Sequence, residues 1–100
     1  MLAKQFRLKN FNFKLFSKAK KVKSKTFLVY KLDSKDKKFC VLAKEKIFKK
    51  SVERNKIRRQ IYEIIRHHLN KINSGYYLIM PLKKEKYNIL KEELLRIINF

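Results

Sequence analysis

The stretch SVERNKIRRQIYEIIRHH, residues 51–68, decides the fold. At about 100° per residue, Ile57, Ile61, Ile64, Ile65 and Leu69 gather into one apolar stripe, the mark of a helix laid on a core. Ser51 is a suitable N-cap, and Glu53 falls in the first turn, where the helix dipole favours a carboxylate. Beside the stripe, Arg54, Asn55, Arg58, Arg59, Tyr62 and Arg66 occupy a sector of roughly 140°. Arginine is scarce in this chain: of 28 basic residues only six are arginine, and four of those lie between positions 54 and 66. Lysine suffices for solubility, whereas the planar guanidinium fork grips two phosphate oxygens or a base edge at once. A solvated face is the ordinary reading of a charge run. The concentration of arginine here favours contact with a nucleic acid, without distinguishing RNA from DNA.

Upstream, TFLVYKL (26–32) is rich in β-branched and aromatic residues, as strands prefer. A short edge strand around Lys21–Ser24 precedes it, its lysines suited to an edge. A polar DSKDKK segment then leads to a second strand run, FCVLAKEK, from Phe39. The two strong runs read as a hairpin with a loop of about six residues. In the first run Phe27, Val29 and Lys31 face one way and Leu28, Tyr30 and Leu32 the other. One face is expected under helices and the other as a partly open platform. NFNFKLFSK (10–18) reads as a short helix turning Phe13 and Phe16 inward. Downstream, Asn73-Ser74-Gly75 breaks the long helix, YYLIM (76–80) is a buried strand ended by Pro81, and Tyr87, Leu90, Leu94, Ile97 and Ile98 mark a closing amphipathic helix. The order α-β-β-β-α-β-α predicts a two-layer α+β or α/β sandwich: a small four-stranded mixed sheet with about three helices.

One hundred residues support a single domain, here 1–100, with one modest core. A net charge of +20 exceeds any need of solubility and implies a polyanionic partner, nucleic acid before membrane. The lone Cys40, inside an apolar run, suits packing in a reducing compartment, and no apolar stretch reaches signal-peptide or membrane-span length. A cytoplasmic location is expected. Catalytic signals are weak. His67 and His68 have no Cys or carboxylate at ligand spacing, the single glycine rules out a Gly-rich phosphate loop, and the eight acidic residues form no pair placed for hydrolysis. No catalytic or metal-ligating side chain is assigned.

The motif RNKIRR (54–59), on a helix that follows strand runs, resembles the Arg-Asn-Arg-x-Lys-Arg signature of the bacterial ribonuclease P protein component. Phe16 aligns with the aromatic closing that family's first helix, FLVY (27–30) with its central strand, and Ser51-Val52 with the pair ahead of the signature. YYLIM and the last helix complete the order, so the resemblance spans about residues 7–98. The chain departs from the pattern at Lys49 and Lys50, where the family has Gly-Asn, at Tyr62 in place of a further arginine, and at Pro81 in place of a basic residue. Either Phe13 or Asn12 stands at the family's other cleft aromatic.

The resemblance implies a ribosomal-protein-S5-like fold with a crossover between two parallel strands. It implies a protein subunit that leaves hydrolysis to an RNA partner and its bound Mg²⁺, and that promotes removal of the 5′ leader from precursor tRNA. Arg54, Asn55, Lys56, Arg58, Arg59 and Arg66 would bind the ribonuclease P RNA. Phe13, Phe16 and Tyr30 would receive the single-stranded leader, where stacked bases contribute about 1–3 kcal/mol each. For Phe16 a core role is nearly as good a reading. Neither a membrane nor a small-molecule substrate is expected. The alternative is a small structural RNA-binding protein such as a ribosomal protein.

Overall fold

A computed structural model of the chain describes Phe6, Arg7 and residues 16–99. Strands β1 (Lys20–Lys23), β2 (Phe27–Leu32), β3 (Lys37–Val41) and β4 (Gly75–Pro81) follow the apolar runs. Helix α1 spans Ser51–His67, a 3-10 turn follows at Leu69–Lys71, and α2 spans Tyr87–Ile97. The helix expected over 10–18 falls largely outside the described residues. Within them, the Ala19 amide donates to the Phe16 carbonyl at 3.1 Å in a tight turn.

The strands form one mixed sheet in the order β1-β2-β4-β3. β2 is antiparallel to both β1 and β4, and β3 is parallel to β4. This corrects the hairpin expected between the runs at 26–32 and from Phe39, because β4 lies between them. Burial explains the order. Tyr77 and Ile79 of β4 face one side, Leu78 and Met80 the other, and none is more than 3% exposed. A strand apolar on both faces belongs at the centre of a sheet, while Lys37 and Lys38 suit β3 to an edge. The tight hairpin is β1–β2, where Ser24 Oγ accepts the amides of Thr26 and Phe27 at 3.2 and 3.0 Å. Parallel neighbours need a crossover, and α1 supplies it between β3 and β4.

Both helices cover the same face. Ile57, Ile61, Ile64 and Ile65 of α1 join Leu90 and Leu94 of α2 over Phe27, Val29, Phe39, Val41, Tyr77 and Ile79. Burying one such side chain stabilises the fold by about 1.5–3 kcal/mol, so this layer fixes where α1 sits. Phe39 and Tyr77 stack with ring centroids 5.1 Å apart, and Lys31 Nζ lies 5.7 Å from the Tyr77 centroid. The opposite face carries a smaller cluster. Phe16, Leu78 and Met80 are buried there, while Leu28, Tyr30, Leu32, Cys40 and Tyr76 are only half-buried around them. The two faces expected for 26–32 are therefore the two faces seen.

Helix α1 begins one residue earlier than Ser51 suggests. Lys50 is the N-cap, extended at φ −90° and ψ 140°, and its carbonyl accepts the Arg54 amide at 3.1 Å. Glu53 completes the turn by accepting the Lys50 amide at 3.3 Å. Beyond its other end, Lys37 Nζ donates to the carbonyl of Leu69, in the 3-10 turn, at 2.8 Å. Gly75 opens β4 at φ 148°, and a Cβ there would stand 3.1 Å from the Leu32 carbonyl oxygen. The chain's single glycine is where both backbone angle and space require it.

Candidate nucleic-acid interface

The apolar stripe of α1 turns its arginines toward the outer edge of β3, away from β4. Asn55, Arg58, Arg59 and Tyr62 line a depression of about 570 Å³ there, together with Val41 and Arg7. Arg7 reaches the site through its own parallel bridge with Phe39 at the edge of β3. None of the six lining residues is acidic. Three guanidiniums and a carboxamide around one hollow provide directed donors for phosphate oxygens and a sugar or base edge.

Two half-buried groups register this field. The Cys40 thiol is pushed up by burial, and Arg58 pulls it back. The Tyr62 hydroxyl is likewise pushed up by burial, while the Val41 amide it accepts at 3.2 Å, Arg7 and Arg58 pull it down. Tyr62 is thus half-buried and bonded to the sheet edge, whereas the helical wheel alone puts it on the exposed arginine face.

The other residues of the motif are occupied differently. Arg54 donates from one nitrogen to the carbonyls of Phe48 and Lys49 at 2.9 and 3.1 Å, fastening the loop before the helix. In the first turn it lies on the same meridian as Ile61 and Ile65, above the loop that ends there. Arg66 donates to Glu63 at 2.6 Å, and His67 shares the same oxygen at 2.7 Å. Lys56 is exposed on the far side of α1, away from the depression. The structure therefore brings together Asn55, Arg58 and Arg59, adds Arg7, and leaves Arg54, Lys56 and Arg66 apart. Arg7 carries no local signal in the sequence; only the bridge to Phe39 reveals it.

On the sheet face opposite the helices Phe16 is 4% exposed, packed on Leu78 and Met80, and Tyr30 is half-exposed beside them. Among the described residues of this face, Tyr30 and Tyr76 are the half-exposed aromatics that an unpaired base can reach. Phe13 lies outside the described residues. Lys18, Lys20, Lys21 and Lys23 are exposed along the same end of the sheet. Among the described residues no group of three His, Cys, Asp or Glu side chains is placed to hold a metal ion, and no helix is long and apolar enough to cross a membrane.

A basic α+β protein that combines an arginine-lined hollow with half-exposed aromatics on the sheet face opposite its helices is a nucleic-acid-binding protein. Comparison with known proteins narrows this. The family model described as Ribonuclease P matches residues 2–99, and the chain belongs to that family. It is accordingly an RNA-binding protein subunit of ribonuclease P, a ribonucleoprotein endoribonuclease of tRNA processing. The ribonuclease P protein from Thermotoga maritima superposes with a TM-score of 0.84 at 22% identity, over 97% of this chain and 96% of that one. The ribonuclease P protein of Staphylococcus aureus gives 0.82 at 21% identity, over 97% and 100%. These likenesses establish the shared fold. No curated protein sequence matches the chain.

Proposed function

We propose that the single domain formed by residues 1–100 binds two RNAs in the cytoplasm, the ribonuclease P RNA through α1 and the 5′ leader of precursor tRNA through the sheet face opposite the helices. The observation that carries the first contact is the carboxylate-free hollow of Arg7, Asn55, Arg58 and Arg59. Arg54, Lys56 and Arg66 act at its margins, Arg54 chiefly by shaping the loop. Tyr30 receives leader bases, with Phe16 beneath it and Phe13 supplied from the N-terminal segment. Mg²⁺ is held mainly by the RNA subunit. The protein binds and orients, and hydrolysis is left to the RNA.

The ribosomal-protein alternative has no support from the family match, which covers nearly the whole chain. The test is titration of a bacterial ribonuclease P RNA with wild-type protein and with Arg58→Ala/Arg59→Ala at several salt concentrations. Each phosphate that is no longer neutralised should lower the slope of log affinity against log salt by about one. A slope reduced by about two in the double variant supports the assignment. An unchanged affinity and slope would remove α1 from the interface.

A further inference from the structure

On the side of α1 away from Arg58 runs a second groove of about 610 Å³. Phe48 and Ile57 form its floor, Gln60 stands on its α1 wall, and Tyr87 faces them from the start of α2. It continues along α1 as a shallower hollow that Arg59, Gln60 and Tyr87 share. Arg59 also lines the arginine depression, so the two sites meet at one guanidinium on the crest of the helix.

The electrostatics of the two sites differ. The six residues lining the depression include no carboxylate, whereas Glu53 and Glu85 line the groove and Glu63 its shallower continuation. Each is paired: Glu53 with Lys84, Glu63 with Arg66 and His67, and Glu85 with Lys83. In a chain of net charge +20 this leaves a pocket in which two glutamates offset most of the charge of Lys56, Lys84 and Lys86, around a phenol ring, a carboxamide and an apolar floor. Phosphate has little reason to enter it, but a nucleobase does. Every base has a π-face for the ring, and a carboxamide offers both donors and an acceptor to its edge. The volume lies within the roughly 300–1,000 Å³ of ligand sites. Lys56 and Lys86, exposed at the rims, supply charge for flanking phosphates.

We propose that this groove holds one unpaired nucleotide of the bound RNA, its base against Tyr87 and beside Gln60, while Arg59 holds the adjoining phosphate. The inference rests on the assignment of the arginine face to the ribonuclease P RNA.

The experiment is titration of a bacterial ribonuclease P RNA with the full chain carrying Tyr87→Leu, Tyr87→Phe or Gln60→Ala, at several salt concentrations. Removing a stacked base should weaken binding about tenfold in Tyr87→Leu with the salt slope unchanged, while Tyr87→Phe keeps its affinity. Wild-type affinity in Tyr87→Leu overturns the proposal, and so does a weakening that lowers the slope or appears equally in Tyr87→Phe. Tyr87 also packs on the main core, so Gln60→Ala decides if Tyr87→Leu does not fold. Its affinity should fall about threefold, and an unchanged affinity overturns the base contact. If Arg58→Ala/Arg59→Ala binds as wild type does, the arginine-face assignment fails instead, whatever the groove variants show.

Discussion

The Val41 amide donates to the Tyr62 hydroxyl across 3.2 Å, tying the end of β3 to the middle of α1. Arg58 sits one turn before Tyr62, so this bond helps to fix its guanidinium against the sheet edge. Tyr62→Phe leaves the amide without that partner and should destabilise the protein by about 1 kcal/mol. Urea denaturation checks this, and an unchanged midpoint would show that the bond contributes nothing.

Arg54 belongs to the motif but works on the loop before the helix, through the Phe48 and Lys49 carbonyls. Arg54→Ala should cost about 1–2 kcal/mol of stability, since hydrogen bonds from a charged donor are stronger than neutral ones, but one of these two lies in solvent. At a temperature where both proteins are folded, its RNA affinity should fall less than that of Arg58→Ala. The comparison needs thermal melts and RNA titrations of the two variants side by side.

Glu63 holds Arg66 and His67 together, and those two hydrogen bonds, Arg66 first, keep its carboxyl at about 2. A depressed carboxyl contributes stability above its ordinary value of 4.5 and loses it as pH falls toward about 2. The group is exposed, so the stability at stake is small, and NMR titration is the sensitive readout. The midpoint should rise toward 4.5 in Arg66→Ala. Glu63→Gln frees the guanidinium and removes a negative charge, and should raise RNA affinity about threefold at low salt, an effect that fades as salt screens it.

Tyr77 is buried against Phe39 and donates from its hydroxyl to the Asn73 carbonyl at 2.7 Å. Burial, with the Asp33 charge, pushes this phenol from 10.0 up to about 12. A raised pKa favours the protonated form in the folded state, so its stability is present below about 10 and lost as pH rises to about 12. Alkaline denaturation followed by circular dichroism should show a steeper decline over that window in wild type than in Tyr77→Phe.

The isoleucine stripe, the two faces of β2 and the amphipathic last helix were all legible from periodicity, because side-chain period reports burial directly. Strand neighbours were not. Alternation at 26–32 says which face each residue takes and nothing about which strand lies alongside. The clue was in YYLIM: a run apolar at every position has to be covered on both faces, and that placed β4 between β2 and β3. At the site, composition singled out the arginine helix, but one sector of roughly 140° took in both Arg58, facing the hollow, and Arg54, bound to its own loop. Glu63 three residues before Arg66 was a readable pairing signal. Arg7 had none, since its place depends on a bridge to Phe39 more than thirty residues away in sequence.

The most direct measurement is 5′ cleavage of a precursor tRNA by a bacterial ribonuclease P RNA at low Mg²⁺, with no protein, with wild type, and with Arg58→Ala/Arg59→Ala. The account predicts that wild type stimulates cleavage and that the double variant loses most of the stimulation while melting as wild type does. Full stimulation by a folded double variant would contradict the assignment of the arginine face to the catalytic RNA.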